Sequence, residues 1–472
     1  MSITLVRGLG LLAATAMVIG DVIGTGVFLK ARVMTCNVGT PGLVIAVWVV
    51  GGLLSLAGAL TYAELAAMMP RAGGEYVFIR EAYGRVWGFL YGWTRFFVSG
   101  TGGLAGLAAG FAIFLNIVSG GALRSHAFSI GPSAHQLSYD GLHAVAIGAI
   151  AIVTLVNCAA VAVGGRIAAV LATLKVALVS GVGFGAMFLA RGDWAHFAMT
   201  GAGAACDGVA AAARGGLAGF GAAMLGALWA YNGWNEVTYA AGEVKEPKRN
   251  LPRAIIGGIA IIAALYVFAN VAYFHVLTPA AVAGIPQSSS VATEAVTRFL
   301  GASAAIVMAG ALAMSIFGSL QVSALLSARV PYAMACDGLF FAGLARVSPR
   351  SRVPIRALVV QSAWAVVLVL SGSYDTLTDY AIFAILIFVA LATASVFVFR
   401  RRMPDADRPY RTWGYPIVPA LFMLVAGWLV INTLLTTPGR ALAGLGLMAA
   451  GLPFYWYWAR SAVSPALPET GV

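Results

Sequence analysis

Leu228-Trp229-Ala230-Tyr231-Asn232-Gly233-Trp234-Asn235-Glu236 is the stretch that decides the fold. It lies inside an apolar run over about residues 217–241, and about 20 apolar residues suffice for a helix to cross a bilayer. Its middle carries Asn232, Gly233 and Asn235, which are poor helix formers and leave backbone groups unpaired. At membrane depth such groups are tolerated only beside protein or a water-lined cavity. The stretch therefore predicts a helix opened to bind something polar; the alternative is a glycine kink at a helix-packing contact.

The composition places the chain in a membrane. Hydrophobic residues make up 61% and charged residues 10%, and the mean hydropathy is +0.90, which excludes an ordinary soluble domain. Long apolar runs favour helices over the short alternating segments of a membrane β-barrel. The amino end is too Gly-rich and too long for a cleaved leader. The four cysteines have no metal-ligand spacing and form no evident disulfide framework.

We predict an all-α polytopic membrane protein with about twelve transmembrane helices, forming a single domain over residues 1–472. The predicted spans are approximately 8–30, 41–68, 85–118, 141–162, 167–190, 217–241, 253–277, 301–330, 355–372, 376–399, 415–435 and 441–459. Most of the 29 basic residues fall on one side of this arrangement. The positive-inside rule then places both termini in the cytoplasm, and this distribution accounts for the net charge of +12 without a nucleic-acid partner.

A second interrupted span lies near the amino end. The first span reads Val18-Ile19-Gly20-Asp21-Val22-Ile23-Gly24-Thr25-Gly26-Val27-Phe28. It is no nucleotide fingerprint, because no strand precedes it and no βαβ unit follows. Gly24 and Gly26 would let backbone N–H groups approach an anion at the positive end of a half-helix. Two interrupted spans at matching positions indicate an inverted repeat with a binding site near the midplane, and free N–H groups and carbonyls together suit a zwitterion.

The chain resembles the amino acid–polyamine–organocation (APC) transporter superfamily and, within it, the bacterial members of the L-type amino acid transporter (LAT) branch. The resemblance covers about residues 10–460. It is carried by five motifs in order: residues 19–28, residues 62–76, residues 229–235 with 243–252, Phe317-Gly318-Ser319-Leu320, and residues 329–335. It implies a LeuT-type fold of five plus five inverted-repeat helices, with repeat one over about 8–190, repeat two over about 217–399, two further helices over about 415–459, and helices 1 and 6 broken.

The resemblance also implies a substrate site. An α-carboxylate would meet the backbone at Ile23, Gly24, Thr25 and Gly26, and an α-amino group would meet carbonyls around Val22, Ile23, Trp229 and Ala230. Trp229 stands where LAT relatives place an aromatic gate, and its alternative is an interfacial or core tryptophan. Asn232 departs from the Gly or Asp of relatives. It lacks the charge to offset a buried Lys or Arg side chain, so it favours small neutral amino acids; the alternative is that it only caps the broken helix.

Lys175 lies in the middle of the fifth predicted span, where an ionisable side chain is a functional candidate. The alternative is that its side chain reaches an interface. In sodium-coupled relatives of this fold a cation bridges the first and eighth spans, and in LAT-like members a fifth-span lysine stands near that position. The resemblance therefore assigns Lys175 as a cation mimic, paired with the eighth-span hydroxyl of Ser319. Asp21 is expected either to carry a proton or to pair with a basic group.

These residues predict secondary active transport of small neutral amino acids across the inner membrane by sodium-independent exchange, with proton-coupled symport as the alternative. An enzyme is disfavoured because the five histidines fall in outside loops or near span ends and form no cluster. A channel would favour rings of repeated polar residues. We expect no cofactor and no metal. Because the outside loop over about residues 119–140 contains no cysteine, we expect no disulfide-linked heavy chain of the kind that eukaryotic LAT members join.

Overall fold

Glycines interrupt the first predicted span. The computed structural model describes residues 5–124, 128–130, 137–201, 205–286, 289–371, 374–436 and 438–461. Helix α1 covers Leu11–Val22 and α2 covers Gly26–Val38, and the two form a bent pair with an angle of 41° between them. Both halves are apolar enough to form one membrane span together. The break therefore lies within the span, at residues 23–25.

The second and third predicted spans are helical over nearly their predicted bounds. Helix α3 covers Pro41–Met68, with Thr40 capping its first turn through a bond from the Leu43 N–H. Helix α4 (Glu75–Tyr83) is a short helix that the sequence pattern did not predict. Helix α5 (Arg85–Thr94) runs through a π-helical segment, Arg95–Ser99, into α6 (Gly100–Val118). A π-helical turn of this kind often marks a functional position.

The next segments lead to the second break. Strands β1 (Phe128–Ile130) and β2 (Leu137–Tyr139) form an antiparallel ribbon, followed by α7 (Gly141–Cys158) and α8 (Val161–Phe188). Helix α9 covers Gly216–Ala230, and a turn over residues 231–235 then leads into a 3₁₀-helix, Glu236–Glu243. Gly233 adopts a φ of +113°, a conformation that residues with a Cβ avoid. The helix thus ends inside the stretch quoted first, as predicted.

The remaining elements are also helical. They are α10 (Pro247–Val276), α11 (Pro279–Ala283), α12 (Val291–Leu300), α13 (Ala304–Ser327), α14 (Arg329–Cys336), α15 (Ile355–Ser371), α16 (Tyr374–Arg402), α17 (Ile417–Thr436), α18 (Pro438–Ala449) and α19 (Leu452–Ser461). The prediction of one helix over residues 441–459 is wrong. A turn at residues 450–451 separates α18 from α19, because Pro453 lacks the N–H that a continuous helix needs there.

The structure supports a multi-pass membrane protein. Within the described part of the chain, seven helices are long and apolar enough to span a bilayer, and the bent pair α1–α2 raises the number to eight. Helices α9 and α15 are apolar but shorter. The count of twelve spans therefore stays a prediction.

The two broken stretches lie among the other helices. Helix α1 packs against α8, α10 and α13, while α2 packs against α9. The first and sixth predicted spans thus meet where α2 packs against α9. This arrangement brings the two breaks to opposite sides of one cavity.

A disulfide corrects the expectation drawn from the cysteines. Cys36, near the end of α2, is bonded to Cys206 in the segment before α9, with the two Cα atoms 5.7 Å apart. No local sequence pattern indicates this pair, because its members are 170 positions apart in the chain. The same two regions also exchange hydrogen bonds, from the Asn37 amide to the Ala213 carbonyl and from the Gly215 N–H to the Asn37 carbonyl.

Buried ion pairs stabilise the end of the bundle that is remote from the disulfide. Glu64 accepts two bonds from Arg400, at 2.9 and 2.7 Å, and one from the Thr412 N–H. The side chains of Glu243 and Arg329 form a fully buried pair. Arg329 is the first residue of α14, so this pair links α14 to the 3₁₀-helix that ends at Glu243.

Candidate functional site

A cavity of about 330 Å³ lies between the two breaks. This volume is in the range of small-molecule sites. Its walls come from both broken stretches, from α6 and from α13. Lining residues include Asp21, Val22, Gly24, Thr25, Gly26, Arg95, Trp229, Ala230, Asn232, Gly233, Glu236, Ser319 and Ser323. Of the residues predicted from sequence to contact substrate, all but Ile23 line this cavity.

The amino end of α2 offers an anion site. Helix α2 begins at Gly26, with Thr25 in the capping position, and no side chain caps it. The first N–H groups of any helix lack acceptors within the helix, and the helix dipole adds partial positive charge. Two N–H groups that we expected at this site are already used: that of Ile23 bonds to the Ile19 carbonyl, and that of Gly24 to the Val22 carbonyl. The available donors therefore begin at Thr25.

The carbonyls of the two breaks are also partly occupied. The Tyr266 hydroxyl lies 3.1 Å from the Val22 carbonyl and 3.1 Å from the Ala230 carbonyl, so it links the two broken helices. The Ile23 carbonyl accepts from Lys175 and Ser315. Ile23 is fully buried and belongs to the surroundings of Lys175. This differs from the expectation that Ile23 faces the substrate.

Lys175 lies behind the cavity wall and does not extend to an interface. Its side chain is fully buried. The Lys175 ammonium donates to the Gly20 carbonyl at 2.5 Å, the Ile23 carbonyl at 2.7 Å and the Ser319 hydroxyl at 2.7 Å. Gly318 makes room for it, because a Cβ there would lie 2.8 Å from the Lys175 Cε. Three charge-assisted hydrogen bonds thus connect α8 to the end of α1 and to α13.

Arg95 and Glu236 form an ion pair at another side of the cavity. Arg95 begins the π-helical segment and donates to the Glu236 carboxylate and, at 3.3 Å, to the Ser327 hydroxyl. Its guanidinium lies 5.3 Å from the centre of the Tyr239 ring, a cation–π distance. Sequence reasoning placed Arg95 inside a span but did not assign it to the site. A buried charge in an apolar helix was the one available signal.

Asn232 and Trp229 present the most accessible side chains of the second break. Asn232 is exposed although it lies within the predicted span, and Trp229 is 41% exposed; both line the cavity. Asn232 does not cap the following helical segment, because Asn235 occupies that position. Its amide is therefore free to face a bound molecule. Trp229 is neither a core residue nor buried.

Comparison with known proteins shows the family of this chain. The model of the family described as amino acid permease matches residues 9–452. The chain belongs to the amino acid permease family. This permease is 32% identical to the serine/threonine exchanger SteT of Bacillus subtilis (strain 168), over 95% of its own length and 96% of that protein.

Mammalian proteins are similar too. The permease is 27% identical to the b(0,+)-type amino acid transporter 1 of Mus musculus, over 96% of the chain and 88% of the relative. It is 29% identical to the large neutral amino acids transporter small subunit 2 of Oryctolagus cuniculus, over 97% and 82%. The resemblance to the APC superfamily and to LAT-type transporters is confirmed, and the relatives are transporters, not enzymes.

Gly26 provides a test of how closely the broken helices meet in this permease. A Cβ at Gly26 would lie 2.4 Å from the Ala230 Cβ and 2.8 Å from the Ala230 Cα. Gly26→Ala should therefore push the two breaks apart and lower amino acid uptake about tenfold or more, at an overpacking cost of ~1–3 kcal/mol. Uptake into proteoliposomes measures this effect. Gly257→Ala is the matched control, since nothing lies within 4 Å of its added Cβ; equal uptake by both variants would contradict the prediction.

Proposed function

We propose that this permease exchanges small neutral amino acids across the cytoplasmic membrane without sodium. The Lys175 ammonium is the observation that carries the proposal. It donates to the Gly20 and Ile23 carbonyls and the Ser319 hydroxyl, and this set of oxygen acceptors supports the proposal that it replaces the cation bound by sodium-coupled transporters of the proposed fold. A fixed ammonium makes sodium unnecessary. The serine/threonine exchanger SteT, at 32% identity, is in keeping with exchange of small amino acids.

The substrate backbone is assigned to the two breaks. The free N–H groups at Thr25 and Gly26 would bind the α-carboxylate, and the second lone pairs of the Trp229 and Ala230 carbonyls would accept from the α-amino group. The side chain would then point toward Asn232. We extend this proposal to a LeuT-type five-plus-five repeat and to twelve spans, in which the interrupted first and sixth spans are equivalent.

The charge distribution and the disulfide agree on orientation. We assign both termini to the cytoplasm, because the basic clusters lie on that side. The Cys36–Cys206 disulfide falls on the opposite, periplasmic side, where disulfides persist. Cys158 and Cys336 are free and lie toward the cytoplasmic ends of their helices. No outward cysteine is left for a disulfide-linked subunit, so we propose that the chain works without one.

Counterflow in proteoliposomes tests the function. Vesicles loaded with unlabelled alanine should accumulate labelled alanine, serine or threonine without sodium, whereas empty vesicles should not. Labelled uptake into empty vesicles driven by an imposed pH gradient would instead support symport, the alternative. Uptake that rises steeply with sodium at fixed pH and membrane potential would exclude the sodium-independent mechanism.

Asn232 should determine which side chains are accepted. Asn232→Asp should lower the inhibition constant for arginine about tenfold or more relative to alanine, because a carboxylate within ~4–6 Å stabilises a cation and about 1.4 kcal/mol is tenfold. Asn232→Gly should admit bulkier side chains. Competition against labelled alanine measures both effects.

The matched control for this prediction is Asn116→Asp. Asn116 lies at the end of α6 and accepts from the Leu123 N–H through its Oδ1, a bond that Asp retains. It should leave selectivity unchanged. If arginine already outcompetes alanine in the unaltered protein, the assignment to neutral substrates is wrong.

A further inference from the structure

Two carboxyl groups face each other across the two breaks. Asp21 lies in the last turn of α1, and Glu236 is the first residue of the 3₁₀-helix after the second break. Both line the cavity, and their side chains are within hydrogen-bonding contact of each other. Gly233 allows this approach, because a Cβ there would lie 3.0 Å from the Asp21 Oδ2.

Each carboxyl group has an oxygen without a donor. Asp21 Oδ2 and Glu236 Oε2 are both buried, and the described residues offer neither of them a hydrogen bond. A buried acceptor left unpaired costs about 1–3 kcal/mol. A proton shared between the two groups would provide an O–H donor between them and would reduce this cost.

The surrounding charges do not balance two carboxylates. Asp21 faces Glu236, Arg95 and Lys175, and Glu236 faces Arg95, Glu75 and Asp21. The Lys175 ammonium is directed at neutral oxygens of Gly20, Ile23 and Ser319. Arg95 alone is therefore in direct contact with the pair, through Glu236.

Glu75 provides no compensation. Its carboxylate accepts from the hydroxyl groups of Tyr62, Tyr91 and Tyr239, which are neutral donors. Two carboxylates in contact in a site of low dielectric constant do not both stay ionised. The pair therefore lacks one positive charge, which a proton shared between the two carboxyl groups would supply.

We infer that Asp21 and Glu236 form a proton-binding site that closes when the two broken helices approach each other. This inference rests on the proposed function and adds a second ligand to it. Protonation would join the two carboxyl groups by a hydrogen bond and hold the breaks together around the amino acid. Loss of the proton would restore repulsion between the carboxylates and separate the breaks. Binding of the amino acid and of the proton would then favour each other.

Infrared spectroscopy of the purified, substrate-free protein tests the site directly. The wild type at about pH 7 should show the carbonyl stretch of a protonated carboxylic acid, shifted in ²H₂O. Asp21→Asn and Glu236→Gln should each lose this band, because the remaining carboxyl group has no acidic partner. Asp407→Asn, at an exposed surface position, should keep it. A wild type without the band, or variants that retain it, would overturn the inference.

Proton uptake on substrate binding provides the second measurement. At a pH high enough to remove the infrared band from the substrate-free protein, alanine added to weakly buffered wild type should cause proton uptake. Alanine affinity should fall as the pH rises through this range, by at most about tenfold per pH unit for one linked proton. The number of protons taken up per alanine bound should fall to zero in Asp21→Asn and stay at the wild-type value in the surface variant Asp407→Asn, whatever the affinity of either variant for alanine. Alanine binding with no proton uptake in the wild type would exclude the linkage but keep the proposed function. Failure to bind any amino acid would reject the proposed function, while the infrared band would still decide the proton site.

The same measurements would also show whether the carboxyl pair binds a cation and not a proton. If the pair instead binds the charged end of a substrate, arginine should displace a proton and outcompete alanine in the wild type. Asp21→Asn would then lose arginine binding and keep alanine binding. That pattern would overturn the inference.

Discussion

Lys175→Ala should abolish amino acid exchange, with a loss of at least about 100-fold in the rate of uptake. The substitution removes the donor that the Gly20 and Ile23 carbonyls and the Ser319 hydroxyl share, and each hydrogen bond to a charged group contributes about 1.5–3 kcal/mol. It also removes the connection between α8, the end of α1 and α13. The break in the first span then loses the contact that fixes its geometry.

The measurement is counterflow with labelled alanine, at matched amounts of reconstituted protein. Thr173→Ala is the control, because Thr173 is exposed on the same helix and bonds only to the Ala169 carbonyl of that helix. It should transport normally. A sodium titration adds a specific readout: the emptied cluster of oxygens suits a hard cation, so sodium should partly restore uptake by Lys175→Ala and leave the wild type unaffected. Normal transport by Lys175→Ala would remove the basis of the proposed mechanism.

Arg329→Met should destabilise the protein by about 3–5 kcal/mol, the cost of breaking a buried ion pair on one side. Arg329 donates to both oxygens of Glu243, at 2.6 and 2.9 Å, and neither side chain is exposed. The substitution leaves the Glu243 carboxylate buried without its counter-charge. The melting temperature in detergent should fall accordingly.

A double variant distinguishes the effect of the lost charge from the effect of altered packing. The double variant Glu243→Met with Arg329→Met should regain most of the loss, because a buried pair can be replaced by apolar side chains of similar volume. Arg249→Met should change stability by less than about 1 kcal/mol, since its pair with Glu246 is exposed. A double variant that is as unstable as Arg329→Met would show that shape, not charge, holds this contact.

The sequence predicted features of the site where polar residues interrupt an apolar run. Asn232, Gly233 and Asn235 in an apolar run indicated the second break, and α9 ends at Ala230. Lys175 in mid-span indicated a polar contact, and the structure pairs it with Ser319. A polar group in hydrocarbon is costly, so one such residue within an apolar run is enough to predict a polar contact.

The sequence was uninformative where the partner lies far along the chain. Arg95 and Glu236 are 141 residues apart, and Cys36 and Cys206 are 170 apart. Neither pair has a spacing that a helix or turn would impose, so only the packing of the helices brings them together. The division of the last predicted span into α18 and α19 was missed for a different reason. Hydropathy over that stretch is continuous, and a single proline decides the break.

The disulfide has a consequence for how this permease changes shape. Cys36 lies near the end of α2, and Cys206 precedes α9. The Arg32 guanidinium and the Asn37 amide add bonds to the Asp207 and Ala213 carbonyls of the same segment. Helix α2 of the first predicted span is therefore linked to the segment that leads into α9 of the sixth. These links oppose a movement of α2 that α9 does not follow. Any movement of this pair would pivot at the two breaks, so the residues proposed to bind a substrate would also serve as the hinge.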